Sequence, residues 1–327
     1  MLEHGGKLTE AMARYGHARD AWMDLSTGVN PQSYPAPALP ADVWHRLPEA
    51  APALVDAACA YYRAARLLPV AGSQAAIRAL PRLRAASRVI VGAPVYAEHA
   101  HCWQRAGHDV IELPHAELGQ AIDSCDVMVV CNPNNPTGAT IAPEVLQAWA
   151  ARLAVRGGWL VVDEAFADVE PQCSVATTLP GLIVFRSLGK FFGLAGLRLG
   201  FVIAEPGLLG ALAEEIGPWG VTEAAQLIGT AALRDTTWQR EMRARLQHDG
   251  ARLKSLLAAG GIESHGCALF QWWNEPHAYA FADHMARRAI WVRKFAGGGI
   301  RLGLPFHERD WVRLARALDE WFSLDKR

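Results

Sequence analysis

The chain has little of what would tie a protein to a membrane, to nucleic acid or to an oxidising compartment. Its 327 residues carry 32 lysines and arginines against 33 aspartates and glutamates, a formal net charge of −1. With no long basic run, that balance gives nucleic acid and anionic lipid no electrostatic footing. No apolar run approaches the ~18–20 residues of a membrane span, and Met1–Lys7 lacks the apolar core of a signal peptide. The six cysteines, Cys59, Cys102, Cys125, Cys131, Cys173 and Cys267, show no C-x-x-C spacing, so they read as reduced and mostly buried thiols. A G-x-x-x-x-G-K-[ST] loop is absent, and Gly193, Gly196 and Gly200 do not fit G-x-G-x-x-G, which leaves nucleotide binding little support. The expectation is a soluble cytoplasmic enzyme.

At this length one large domain with a smaller one is the default. Residues 1–40, with Gly5-Gly6 and prolines at 31, 35, 37 and 40, read as an irregular arm. Over residues 41–215, the apolar runs Arg88–Val91, Val110–Leu113, Val127–Cys131, Leu160–Asp163, Leu182–Phe185 and Leu199–Ile203 predict strands. They look too continuously apolar to be half exposed, which fits a buried, largely parallel sheet. Amphipathic helices are predicted between them at Gln74–Ala85, Ala97–Ala106 and Pro143–Val155, an α/β alternation with helices on both faces of the sheet. After Gly217-Pro218 the pattern changes to long helices and short strands, a smaller α+β domain over residues 216–327.

The most informative stretch is Ser187-Leu188-Gly189-Lys190, with Arg198 eight residues beyond the lysine. A lysine amine can form a Schiff base with an aldehyde cofactor, while a serine and an arginine can hold its phosphate. That combination suggests pyridoxal 5′-phosphate, which makes four further demands. An acid must face the pyridine nitrogen, and Asp163 ends an apolar strand where ligands of open α/β sheets bind. A donor must reach the ring's 3′ oxygen. Asn135 qualifies, in the loop Asn132-Pro133-Asn134-Asn135-Pro136-Thr137-Gly138 after the strand Val127–Cys131, though plain turn chemistry also explains that loop. Gly72-Ser73-Gln74 opens a predicted helix and suits a phosphate or simply an N-cap. Tyr96 is placed to cover the ring or merely to pack. His99 and His101 lie two apart with no third ligand in view, so no metal is expected.

In order and spacing these motifs resemble the fold-type I pyridoxal-phosphate enzymes of the aspartate aminotransferase superfamily, over nearly the whole chain. Within it the similarity leans to the branch of histidinol-phosphate aminotransferases and L-threonine-O-3-phosphate decarboxylases. His4-Gly5-Gly6, Asp24–Pro31, Pro218-Trp219-Gly220-Val221 and the phenylalanine of Asp163-Glu164-Ala165-Phe166 lean to the decarboxylases. Leu47 and Thr222 depart from the aminotransferases' usual tyrosine and asparagine. The resemblance implies a homodimer that decarboxylates O-phospho-L-threonine to (R)-1-amino-2-propanol phosphate in cobalamin biosynthesis, with histidinol-phosphate transamination as the alternative. It makes Lys190 and Asp163 catalytic and assigns Arg301 to the substrate carboxylate and Arg293 to its phosphate. It adds His4, Gly5 and Asn30 to that phosphate pocket.

Overall fold

The computed structural model describes residues 4–295 and 297–324. In chain order, α1 (Leu8–Tyr15) and β1 (Met23–Asp24) precede α2 (Pro52–Tyr62), β2 (Leu68–Val70), α3 (Ser73–Ala79) and β3 (Arg88–Ala93). Then come α4 (Glu98–Arg105), β4 (Asp109–Pro114), α5 (Leu118–Ala121), β5 (Val127–Cys131), α6 (Pro143–Ala154) and β6 (Trp159–Asp163). Next are β7 (Leu182–Ser187), β8 (Gly200–Ile203), α7 (Pro206–Ile216), α8 (Glu223–Arg234) and α9 (Thr236–Ala259). The remaining elements are β9 (His265–Cys267), β10 (Phe270–Asn274), α10 (Ala278–Ala286), β11 (Ile290–Trp291), β12 (Arg293–Phe295), β13 (Gly299–Gly303) and α11 (Glu308–Leu324). No helix is long and apolar enough to cross a membrane among the described residues.

By its contacts the chain divides into two units. One comprises Tyr34–Asn135 and Ala139–Glu241, the other Met1–Ser33, Pro136–Gly138 and Met242–Arg327. The division falls inside α9, well past residue 215, because α8 packs on α2 and stays with the sheet.

The larger unit holds a seven-stranded sheet in the order β2-β8-β7-β6-β5-β3-β4. Only β8 runs against its neighbours, and the other pairings are parallel. Every residue of β5, β7 and β8 is buried, and only Trp159 of β6 is not. Near-continuous valine, isoleucine and leucine is what a sheet covered on both faces requires. Strand β4 corrects the expectation of uniform burial. It is an edge strand, mostly exposed, and Glu112 interrupts its apolar run. The helix predicted to reach Ala85 also ends early. Pro81 has no N–H to continue the ladder, so Leu80–Leu83 tighten into a 3-10 turn. Helices α2 and α7 have no counterpart in the sequence expectations; both are strongly apolar with weak periodicity.

In the smaller unit the arm is not wholly irregular. Helix α1 buries Ala11 against Trp22, Ala286 and Ala289, and Gly16 closes it in the left-handed region at φ 74°. Strands β12-β13-β10-β9 form an antiparallel sheet, and β1 pairs in parallel with β11.

Successive residues on a strand face opposite sides, so the ends of β6 and β7 present two environments. Asp163 and Ser187 line one side. Behind them the buried guanidinium of Arg186 bonds to both Glu164 and Asp168 and lies 4.5 Å over the ring of Tyr62. Burial pulls the Arg186 pKa down, but Asp168 and Glu164 outweigh it and hold the charge on. Removing one partner of a buried ion cluster strands the others without solvent. Arg186→Met is therefore expected to cost about 3–5 kcal/mol of stability, read as a lowered midpoint in urea unfolding.

Candidate active site

A cavity of about 160 Å³ opens at the carboxyl ends of β5, β6 and β7, wholly within the larger unit. Gly72, Ser73, Gln74, Tyr96, Asn135, Asp163, Ser187, Lys190 and Arg198, the nine residues expected at the cofactor, all line it. Five stretches remote in sequence meet there because the parallel strands deliver their following loops to one edge.

Asp163 is the last residue of β6 and is 5% exposed. Its Oδ1 accepts from the Ala165 N–H at 3.0 Å, and its Oδ2 lies 2.9 Å from His99 Nε2. The imidazole is itself held, stacked parallel on Phe185 at 6.4 Å and met edge-on by Tyr96 at 6.0 Å. The carboxylate therefore has a fixed orientation. Tyr96 donates to Gln74 Oε1 at 3.0 Å, and Gln74 Nε2 donates to Glu98 at 2.9 Å. Burial, then Glu98 and Asp163, push the Tyr96 pKa up, so the phenol keeps its proton. Lys190 Nζ stands 5.3 Å over the ring of Phe166.

At the cavity's other end Ser187 Oγ accepts from the Gly189 N–H at 3.2 Å, and Arg198 Nη1 donates to the Ala195 carbonyl at 3.0 Å. Arg198 Nη2 presses on Gly72, where a Cβ would come within 2.5 Å of it. A hydroxyl, a guanidinium and a bare backbone thus converge, a donor set suited to a phosphate. Together with the amine of Lys190 and the acid of Asp163, they fit pyridoxal 5′-phosphate.

The residues expected to hold substrate all belong to the smaller unit. Arg293 and Arg301 sit directly opposite on β12 and β13, so two like charges share one sheet face. Arg301 is buried and donates to the Ser26 carbonyl at 2.7 Å. Burial, then Arg293, lower its pKa to about 10, which still leaves it charged at neutral pH. Gly5 packs on the Ser26 backbone so closely that a Cβ would meet its carbonyl oxygen at 2.5 Å, and the next residue's N–H donates to Ser26 Oγ at 2.7 Å. Asn30 is buried, and its Oδ1 accepts from the Gln32 N–H at 2.9 Å. His4 lies in the same unit and is half-buried.

Two residues that shape the cavity's acid end escaped the sequence reading. His99 associates not with His101 but with Asp163, across 64 positions. Cys131 lines the cavity and is paired with Asp163 in the β5–β6 register. A usable signal existed for the latter: both residues end five-residue strands whose preceding positions are apolar.

Residues 37–319 match the model of the family described as aminotransferase class I and II. The chain is 52% identical over 322 residues to a threonine-phosphate decarboxylase of Pseudomonas aeruginosa, spanning 97% of each chain. It is 42% identical to one of Sinorhizobium sp, again over 97% of each. Its fold is similar to that of a histidinol-phosphate aminotransferase of Sinorhizobium meliloti solved with pyridoxal-5′-phosphate. The TM-score is 0.79 at 20% identity, covering 98% of this chain and 95% of that one.

Gly72 has φ 71° as well as its contact with Arg198. Non-glycine residues in that region cost of order 1–3 kcal/mol. Gly72→Ala is expected to weaken cofactor retention by about tenfold or more, measured by titrating the visible absorbance of the bound cofactor.

Proposed function

This chain belongs to the aminotransferase class I and II family, and we propose that it is a pyridoxal-phosphate-dependent decarboxylase of O-phospho-L-threonine. The observation that carries the substrate is the 52% identity, end to end, with the Pseudomonas threonine-phosphate decarboxylase. The product is (R)-1-amino-2-propanol phosphate, which gives the enzyme its place in cobalamin biosynthesis. The six free cysteines support a cytoplasmic location. A homodimer is proposed from the family resemblance, with Trp44, Leu47 and Trp219, all more than half exposed on the larger unit, as candidate contacts.

Decarboxylation breaks the bond from the substrate's α-carbon to its carboxylate. Carbon dioxide leaves, the electron pair stays on the carbon, and one proton is added there. When bound, pyridoxal phosphate supplies the sink for that pair. Lys190 would hold the cofactor through its amine, and once released from it would return the proton. Asp163, oriented by His99 and the Ala165 N–H, would keep the pyridine nitrogen protonated. Ser187 and Arg198 would anchor the cofactor phosphate, with Ser73 beside them, and Asn135 would donate to the 3′ oxygen. On the substrate, Arg301 would bind the carboxylate and Arg293 the phosphate, with His4, Gly5 and Asn30 contributing to the phosphate pocket. Holding the molecule at both anionic ends selects which α-carbon bond is aligned for cleavage.

The test is release of labelled carbon dioxide from carboxyl-labelled O-phospho-L-threonine with cofactor and no 2-oxo acid. Stoichiometric release is expected, and Lys190→Ala should abolish it. Amino transfer from histidinol phosphate to 2-oxoglutarate instead would overturn the decarboxylase reading. Truncating one partner of a buried charged contact costs about 2–5 kcal/mol. Arg301→Ala should therefore lower kcat/KM by roughly 10²-fold or more, in a steady-state assay of the same release.

A further inference from the structure

His99, Cys131 and Asp163 bring one nitrogen, one sulfur and one oxygen donor together, all three side chains buried and their ligand atoms within 4.8 Å of one another. Among the described residues no other such group of histidine, cysteine and acidic side chains occurs. From this geometry we infer that, when the cofactor is absent, the cavity binds a zinc ion through His99 Nε2, Cys131 Sγ and Asp163 Oδ2.

Donors all within 4.8 Å of one another share a point within about 2.8 Å of each, a short side-chain adjustment from the ~2.0–2.3 Å at which zinc holds nitrogen, oxygen and sulfur. The mixed set favours a borderline-soft ion over magnesium or calcium, which take oxygen. The triad is also preorganised. Asp163 Oδ1 is occupied by the Ala165 N–H, leaving Oδ2 towards His99. Phe185 and Tyr96 fix the imidazole ring. Cys131 and Asp163 are locked in register on adjacent strands, and the backbone N–H groups of Tyr96 and Asn135 point at the cysteine sulfur. Both side chains line the cavity, so the fourth coordination position opens into it, as in zinc sites that keep a water. On binding, the thiol proton passes to solvent as the zinc–sulfur bond forms, and the hydrogen bond between His99 Nε2 and Asp163 Oδ2 breaks as its proton leaves that contact. The imidazole therefore binds neutral as the Nδ1–H tautomer and the carboxylate binds charged.

The metal would occupy the oxygen that the cofactor's ring nitrogen needs, so zinc and pyridoxal phosphate exclude each other. Only that exclusion rests on the decarboxylase reading.

The experiment uses the full-length protein stripped of cofactor and titrated with Co²⁺. A thiolate-to-cobalt absorption band is expected, bleached by one equivalent of Zn²⁺. Cys131→Ser should lose the band, whereas Cys173→Ser, whose thiol lies outside the cavity, should keep it. His99→Gln should shift the ligand-field bands, which keeps the assignment testable if Cys131→Ser does not fold. No band in the wild-type chain, or a band surviving in folded Cys131→Ser, overturns the site. Prior loading with pyridoxal phosphate should prevent the band, and a band beside bound cofactor overturns the exclusion. A chain that gives the band but takes up no pyridoxal phosphate would sink the decarboxylase reading and leave the metal site standing.

Discussion

The guanidinium of Arg186 lies between the carboxylates of Glu164 and Asp168, all three shielded from water. Two of the three flank a working position: Glu164 follows Asp163, and Arg186 precedes Ser187. The acid expected at the cofactor's ring and the hydroxyl expected at its phosphate therefore ride on two strands clamped from behind by one ion cluster. Burial pushes the Glu164 pKa up, and the Arg186 charge, the Ser174 hydroxyl and the Val175 N–H pull against it. A cluster of this kind gives little net stability against a hydrophobic replacement, but it tolerates very little displacement. Fixed spacing is what a site that must grip both ends of one small cofactor requires.

The smaller unit shows the opposite economy. Arg293 and Arg301 face each other across β12 and β13, and no carboxylate lies between them in the strand register. Like charges opposed on a sheet face are unfavourable, and the lowered Arg301 pKa expresses that strain together with its burial. A ligand carrying two anionic groups would relieve it.

Much of this was legible in the sequence, for identifiable reasons. Strands β5, β6 and β7 read clearly because burial on both faces demands unbroken apolar runs. Lys190, Asp163 and Asn135 could be singled out because each sits just past such a run. Strand β4 misled, since Val110 and Ile111 look like core while the strand lies at an edge. Helices α2 and α7 stayed hidden because apolar residues all round leave no period to detect. The His99–Asp163 contact could not be read at all: it joins a helix to a strand through tertiary packing, and no local pattern encodes that.

Phe166 bears on why one chemistry would prevail over another on a shared fold. It is buried, and its ring face stands 5.3 Å from Lys190 Nζ. A tyrosine there would add a hydroxyl able to hydrogen-bond the cofactor or the amine. Phenylalanine supplies only the negative face of its ring, which attracts an ammonium and not a neutral amine. The ammonium is the form that can deliver a proton to the α-carbon, the step that completes a decarboxylation. Thr222, which departs from the aminotransferases' usual asparagine, caps α8 by accepting from the Ala225 N–H at 3.2 Å, so its hydroxyl is engaged in holding a helix end. Phe166 thus bears on the surroundings of the Lys190 amine, while Thr222 has a structural explanation complete in itself.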